Sequence, residues 1–117
     1  MALKPVPSPY LHKGQLTPAA KHGREIFFKD DKLDCKKCHP APLYTDLKKH
    51  NSGVLDKYDA NTQWDTPSMI ESWRSAPYDH LGSKDQMSDL LKDKGHSNAG
   101  ELPESDFNDL MEFILSL

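Results

Sequence analysis

The stretch Cys35-Lys36-Lys37-Cys38-His39 constrains this chain more than any other feature. Two thiols three positions apart, followed at once by an imidazole, form the pattern that attaches a c-type haem covalently. The spacing suits the chemistry. The thiols add to the two vinyl groups on one side of the porphyrin, and the adjacent imidazole turns under the ring to ligate the iron. On this reading Cys35 and Cys38 hold one haem c and His39 is its proximal ligand. Three other chemistries use similar residues. A redox dithiol closes a strand and opens a helix, but Lys29 to Asp34, just ahead of Cys35, show no alternating strand pattern. Zinc would draw on Cys35, Cys38 and two of the six histidines, yet no second cysteine pair and no His-x3-His pair follows. A Cys35–Cys38 disulfide would close too small a loop to stabilise much.

One small domain is expected, because 117 residues with 36% hydrophobic content give only a modest core. A buried porphyrin would add a large apolar surface to it, so fold and cofactor are expected to depend on each other. A charged fraction of 28% with net charge -3 points to neither a nucleic-acid footprint nor a polybasic membrane patch. Lysines do gather around the motif, at Lys29, Lys32, Lys36, Lys37, Lys48 and Lys49. Such a run is first a solvated surface and second a ring that steers an acidic redox partner. No apolar run approaches the roughly 18 residues of a membrane helix, and no h-region with a cleavage site follows Met1. Haem attachment of this kind takes place outside the bacterial cytoplasm. A periplasmic or extracellular location is therefore expected, with a signal peptide removed or truncated from the start.

Residues 1–16, with Pro5, Pro7 and Pro9 alternating, read as an extended arm or linker, and residues 17–117 as the haem domain. Thr17-Pro18 is a cap followed by proline at the first helical position, which predicts a helix to about Phe28. Ala20, Gly23 and Phe27 share one of its faces, and Gly23 invites a second helix to approach closely. Pro40 and Pro42 prevent a long helix after the motif. Leu43 to Gln63 is turn-rich and predicted irregular. Thr66-Pro67 repeats the cap signature and predicts a helix to about Arg74. Ser83 is a cap candidate for a helix from Lys84 to about Lys92, ended at Gly95. Pro103 opens a helix to about Ser116, with Phe107, Leu110, Met111 and Ile114 on one stripe. With no internal repeat and no β-rich segment, the expected fold is all-α and small. Its first and last helices cross near Gly23 against Leu110 or Phe113, and a loop-rich middle wraps one haem.

The chain resembles the C-terminal haem domain of bacterial dihaem cytochrome c peroxidases, and related monohaem domains appended to larger redox proteins. The matching pieces begin with Ser8 to Leu11, Gly14, Leu16, Ala19-Ala20, Gly23-Arg24 and Ile26-Phe27. They continue with Cys35 to His39, Pro42 to Asp46, Asp65 to Ser68, Trp73 to Tyr78, His80 with Gly82, and the ending from Leu102 to Leu117. Departures are Leu81 where aspartate is usual, Met69 where leucine is more usual, and a shortened stretch between His80 and the last helix. The shortening falls where the family often carries its distal ligand. The resemblance implies a cytochrome c-like fold.

Candidates for the distal iron ligand are His96, His80, His50, Met69 and Met87. By the resemblance, His96 matches a histidine shortly before the final helix, in a loop bordered by glycines; the plainer alternative is a solvent-exposed loop histidine. His80 falls where a histidine more often supports the pocket than ligates iron. His50, eleven residues beyond His39, lies in a loop with reach to the far face. Met87 shares an apolar helical face with Leu90 and Leu91, the usual mark of core packing, and Met69 carries the same alternative. Arg74 and Trp73 are candidate neighbours of the haem propionates, or else a surface arginine and a core tryptophan.

The expected function is that of an extracytoplasmic monohaem c-type cytochrome domain, which carries single electrons between redox protein partners or neighbouring haem domains and is not itself an enzyme. The alternative is a peroxidase-like or ligand-sensing haem domain with an open sixth position. A thioether ligand would raise the reduction potential relative to a second imidazole.

Overall fold

In the computed structural model the described residues are 5–50, 63–79, 82–94 and 96–117. The first helix, α1 (Pro18–Lys29), begins as the sequence requires: Thr17 is extended and its hydroxyl accepts from the Ala20 N–H at 3.1 Å. Pro18 sits where a missing N–H costs nothing, and Lys29 lies in the last turn beside the free carbonyls. A single turn, α2 (Cys35–Cys38), carries the two thiols. After α3 (Met87–Lys92), the chain closes with α4 (Glu104–Leu115), whose first turn holds Glu104 and Asp106 at the positive end of the helix dipole.

The predicted crossing of the terminal helices is present. Ala20, Gly23 and Phe27 of α1 and Phe107, Leu110, Phe113, Ile114 and Leu115 of α4 are buried. At the crossing the two backbones touch: a Cβ built on Gly23 would overlap the Asp109 carbonyl oxygen and stand 2.9 Å from the Leu110 Cα. Glycine here costs about 1 kcal/mol of helix propensity, and the close approach lets Phe27, Leu110, Phe113 and Ile114 become fully buried. Each such side chain contributes about 1.5–3 kcal/mol on burial. Phe27 and Phe113 meet edge to face at 5.5 Å, and Phe28 and Tyr44 pack around them.

The middle of the chain departs from its expected helices in two places. Residues 66–69 are not helical; only a 3-10 turn forms, at Ser72–Arg74, after Glu71 at φ 64°. The reason lies in what Thr66 binds. Its N–H and hydroxyl both donate to the Lys48 carbonyl, at 2.9 and 3.2 Å, so the hydroxyl does not cap a following helix. The same segment extends a short antiparallel ladder, β1 (Lys49–His50) with β2 (Trp64–Asp65), that no sequence pattern announced. The third helix starts at Met87 rather than Lys84. Lys84 instead exchanges backbone hydrogen bonds with Tyr78, and the Ser83 hydroxyl donates to the Asp79 carboxylate. The helix ends at Lys92, as expected, with the Asp93 N–H donating to the Leu90 carbonyl, while Gly95 and most of the turn-rich stretch from Asn51 lie outside the described residues.

Ahead of α1, the Val6 N–H donates to the Glu71 carboxylate and the buried Ser8 hydroxyl donates to the Leu115 carbonyl. Among the described residues no helix is long and apolar enough to cross a membrane.

Candidate functional site

Asp34, in the left-handed region at φ 58°, turns the chain into α2. Cys35 and Cys38 stand one helical turn apart, which puts both thiols on one side of the turn. Neither is in a disulfide, and both are half-buried. Burial pushes the Cys35 thiol up to about 11, and burial followed by the Asp46 charge raises that of Cys38. A dithiol redox centre needs the opposite, a thiol pKa below the ordinary value. The zinc set of Cys35, Cys38 and two histidines is not assembled among the described residues. The one cluster of possible metal ligands there is Cys38, Asp46 and His50, whose ligand atoms lie within 4.8 Å of one another.

His39 follows the turn directly, its N–H donating to the Cys35 carbonyl at 2.9 Å. Its Nδ1 lies 2.8 Å from the Tyr44 carbonyl. A carbonyl only accepts, so Nδ1 carries the proton and the neutral ring keeps its lone pair on Nε2. Burial lowers the His39 pKa most. The Tyr44 carbonyl works against it, His96 adds to it, and Asp46 and the Pro67 carbonyl oppose it.

That influence of His96 is the informative part, because the two histidines are 57 positions apart in sequence and yet close enough in space for a charge on one to disfavour a charge on the other. His96 is exposed on part of its surface and crowded by protein on the rest. Burial lowers its pKa, while the Leu90 carbonyl, Asp93 and Asp79 act in the other direction. Both imidazoles are therefore neutral at neutral pH, and each has a ring nitrogen engaged by a backbone carbonyl. The loop under His96 is well tied. The Asp93 carbonyl accepts from the His96 and Ser97 N–H groups at 2.9 Å, and the Ser97 hydroxyl donates to the Leu91 carbonyl at 2.8 Å.

The remaining candidates are placed differently. His50 gives its Nε2 to the Asp46 carboxylate at 2.6 Å. Met87 is a core side chain, 7% exposed, and Met69 is half-buried against the same core. His80 lies outside the described residues. Arg74 is exposed, ion-paired with Glu71 at 2.7 Å, and its guanidinium lies 5.7 Å from the centre of the Trp73 ring. Trp73 packs against the core with its Nε1 buried and without a hydrogen-bond partner among the described residues. A buried indole N–H normally finds an acceptor. A propionate carboxylate is such an acceptor, so the residues present fit a porphyrin.

Two contributors have no signature in the sequence. The Tyr44 carbonyl is backbone, invisible to any residue pattern. Asp46, whose N–H donates to the Cys38 carbonyl at 2.9 Å, lies beside the cysteine turn although seven positions beyond His39.

No protein-family model matches the chain, and no match is found among curated proteins. Solved structures do match. A chain of hydrazine synthase from Kuenenia stuttgartiensis superposes over 99% of this chain with a TM-score of 0.84 at 23% identity. A MauG-like protein associated with microbial copper homeostasis superposes over 90% of it with a TM-score of 0.72 at 20% identity. At these identities the likeness is one of fold. This chain spans 52% and 48% of the lengths of those two chains.

Proposed function

We propose that this chain is a c-type cytochrome domain that holds one haem through Cys35 and Cys38, between His39 and His96, and passes single electrons to and from redox protein partners or neighbouring haem domains. The observation that carries this reading is the nearness of His39 and His96, two imidazoles 57 positions apart in sequence of which a charge on one disfavours a charge on the other. When bound, the haem supplies the one-electron chemistry of its iron. The chain's own residues do the rest. Tyr44 and Leu90 carbonyls orient the two rings and fix which nitrogen each presents. The aromatic cluster of Phe27, Phe28, Tyr44 and Phe113 keeps water from the helix side, and the unpaired Trp73 Nε1 would donate to a propionate, with Arg74 close by.

The fold shared with hydrazine synthase and a MauG-like protein supports a haem domain. Haem attachment of this kind takes place outside the bacterial cytoplasm, which supports a periplasmic or extracellular location. A second reading takes support from the partial exposure of His96: a displaceable sixth ligand would make this a ligand-sensing or peroxidase-like domain. One experiment separates the two. Protein matured with a cytochrome c assembly system is denatured to test whether haem stays attached, and its ferric spectrum is read with and without cyanide. Retained haem with a low-spin spectrum that cyanide changes only slowly supports the carrier. A high-spin spectrum that cyanide converts at once supports the second reading. Haem lost on denaturation contradicts both.

A further inference from the structure

Asp46 is an acidic side chain in an unusual place, only 11% exposed beside the cysteine turn. Its backbone N–H is bound to the Cys38 carbonyl, and its carboxylate lies within 4.8 Å of Cys38 Sγ. Oδ2 takes a hydrogen bond from His50 Nε2 at 2.6 Å and Oδ1 takes one from the Lys48 N–H at 2.9 Å. Although burial would raise its pKa, these donors hold the carboxyl down to about 2, so it is ionised at any pH at which the protein works. Its charge also reaches the proximal ring, where it favours the cationic form of His39.

An ionised carboxylate with two donors in so sheltered a position is costly to build for stability alone. We propose that Asp46 sets the reduction potential of the haem, holding it low by favouring ferric over ferrous iron. The inference rests on the haem reading above. Under that reading Cys38 Sγ is a thioether on the porphyrin rim, so the negative charge sits beside the macrocycle. Reduction adds one electron, supplied by the redox partner, and removes one positive charge from the iron centre; no bond forms or breaks. The Asp46 field opposes that change by Coulomb's law in a low-dielectric setting. His50 tempers the field, because its hydrogen bond withdraws charge from the carboxylate.

The test is an optical redox titration of the haem-loaded protein at fixed pH, with covalent haem confirmed by mass in every variant. Asp46→Asn keeps the shape, accepts from the Lys48 N–H, donates to His50 and loses the charge. It is expected to shift the ferrous-to-ferric ratio at a given ambient potential by roughly tenfold toward ferrous, an upward move of about 59 mV for a one-electron couple. Asp46→Glu keeps the charge and should stay near wild type. His50→Ala, which removes a donor, should move the midpoint the other way and serves if Asp46→Asn does not fold. The proposal is overturned if Asp46→Asn holds low-spin haem at the wild-type potential, if the Asn and Glu variants shift equally, or if His50→Ala raises the midpoint. Wild-type protein without covalent haem overturns the haem reading itself.

Discussion

The crossing of α1 and α4 and the pair of loops that carry His39 and His96 are held together by different means. The crossing is a matter of shape: Gly23 lies against the Asp109 carbonyl, and apolar side chains fill the space on either side. The loops around the two histidines bury few large side chains and are fixed by hydrogen bonds to backbone carbonyls. Thr45 donates to Thr66, Ser68 to Leu43, Tyr78 to Ser72 and Ser97 to Leu91, at 2.6 to 2.8 Å. Packing tolerates no added atoms, whereas a hydrogen-bonded loop can lose one bond and shift. The scaffold should therefore fail as a unit, and the histidine loops one contact at a time.

The largest effect should come from Gly23→Val, whose side chain has no room at the crossing. A loss of about 4 kcal/mol or more is expected, seen as absent or molten α-helical signal in circular dichroism. A variant of near wild-type stability would show that the helices can separate and would break the distinction. Next, Leu110→Ala should cost about 3 kcal/mol in denaturant unfolding, with the attached haem keeping its axial ligands. Loss of the low-spin spectrum in that variant would mean that the two regions are not independent.

The pH responses separate the regions more finely. Asp46 contributes stability that is complete above its ordinary value of 3.8 and is lost as pH falls through about 2. Asp46→Asn should therefore flatten the acid limb of an unfolding profile in that window; an unchanged limb would mean that the carboxylate is not held by its donors. The smallest effect belongs to the crossing. Exposed His22 donates across it to Asp109 at 2.7 Å, a hydrogen bond that raises the His22 pKa above 6.5. Its contribution is complete below 6.5 and fades as pH rises through the raised value. Wild type should lose slightly more melting temperature than His22→Gln between mildly acidic and mildly alkaline pH, and an equal loss would remove the pair from the account.

The same contrast explains what could be read from the residues. Thr17-Pro18 and Thr66-Pro67 look alike in sequence. The first starts α1 because the Thr17 hydroxyl finds the Ala20 N–H one turn on. The second does not, because the Thr66 hydroxyl and N–H find the Lys48 carbonyl eighteen positions back. Periodicity and caps are local, so Gly23 and the stripe of Phe107, Leu110 and Ile114 announce the crossing before any fold is known. Side chains that bind distant carbonyls leave no local trace, so the ladder of β1 and β2, the late start of α3 and the support under His39 were not legible. The cysteine motif stands apart, since under the proposed reading its spacing answers to a porphyrin rather than to the fold.

The most direct test of the account is the ferric and ferrous absorption spectrum of the haem-loaded His96→Ala variant beside wild type. The account predicts a low-spin wild type without the weak far-red band of methionine ligation, and a variant that turns high-spin while keeping its covalent haem. A variant that stays low-spin with an unchanged spectrum would contradict it, because the distal ligand would then be a residue other than His96.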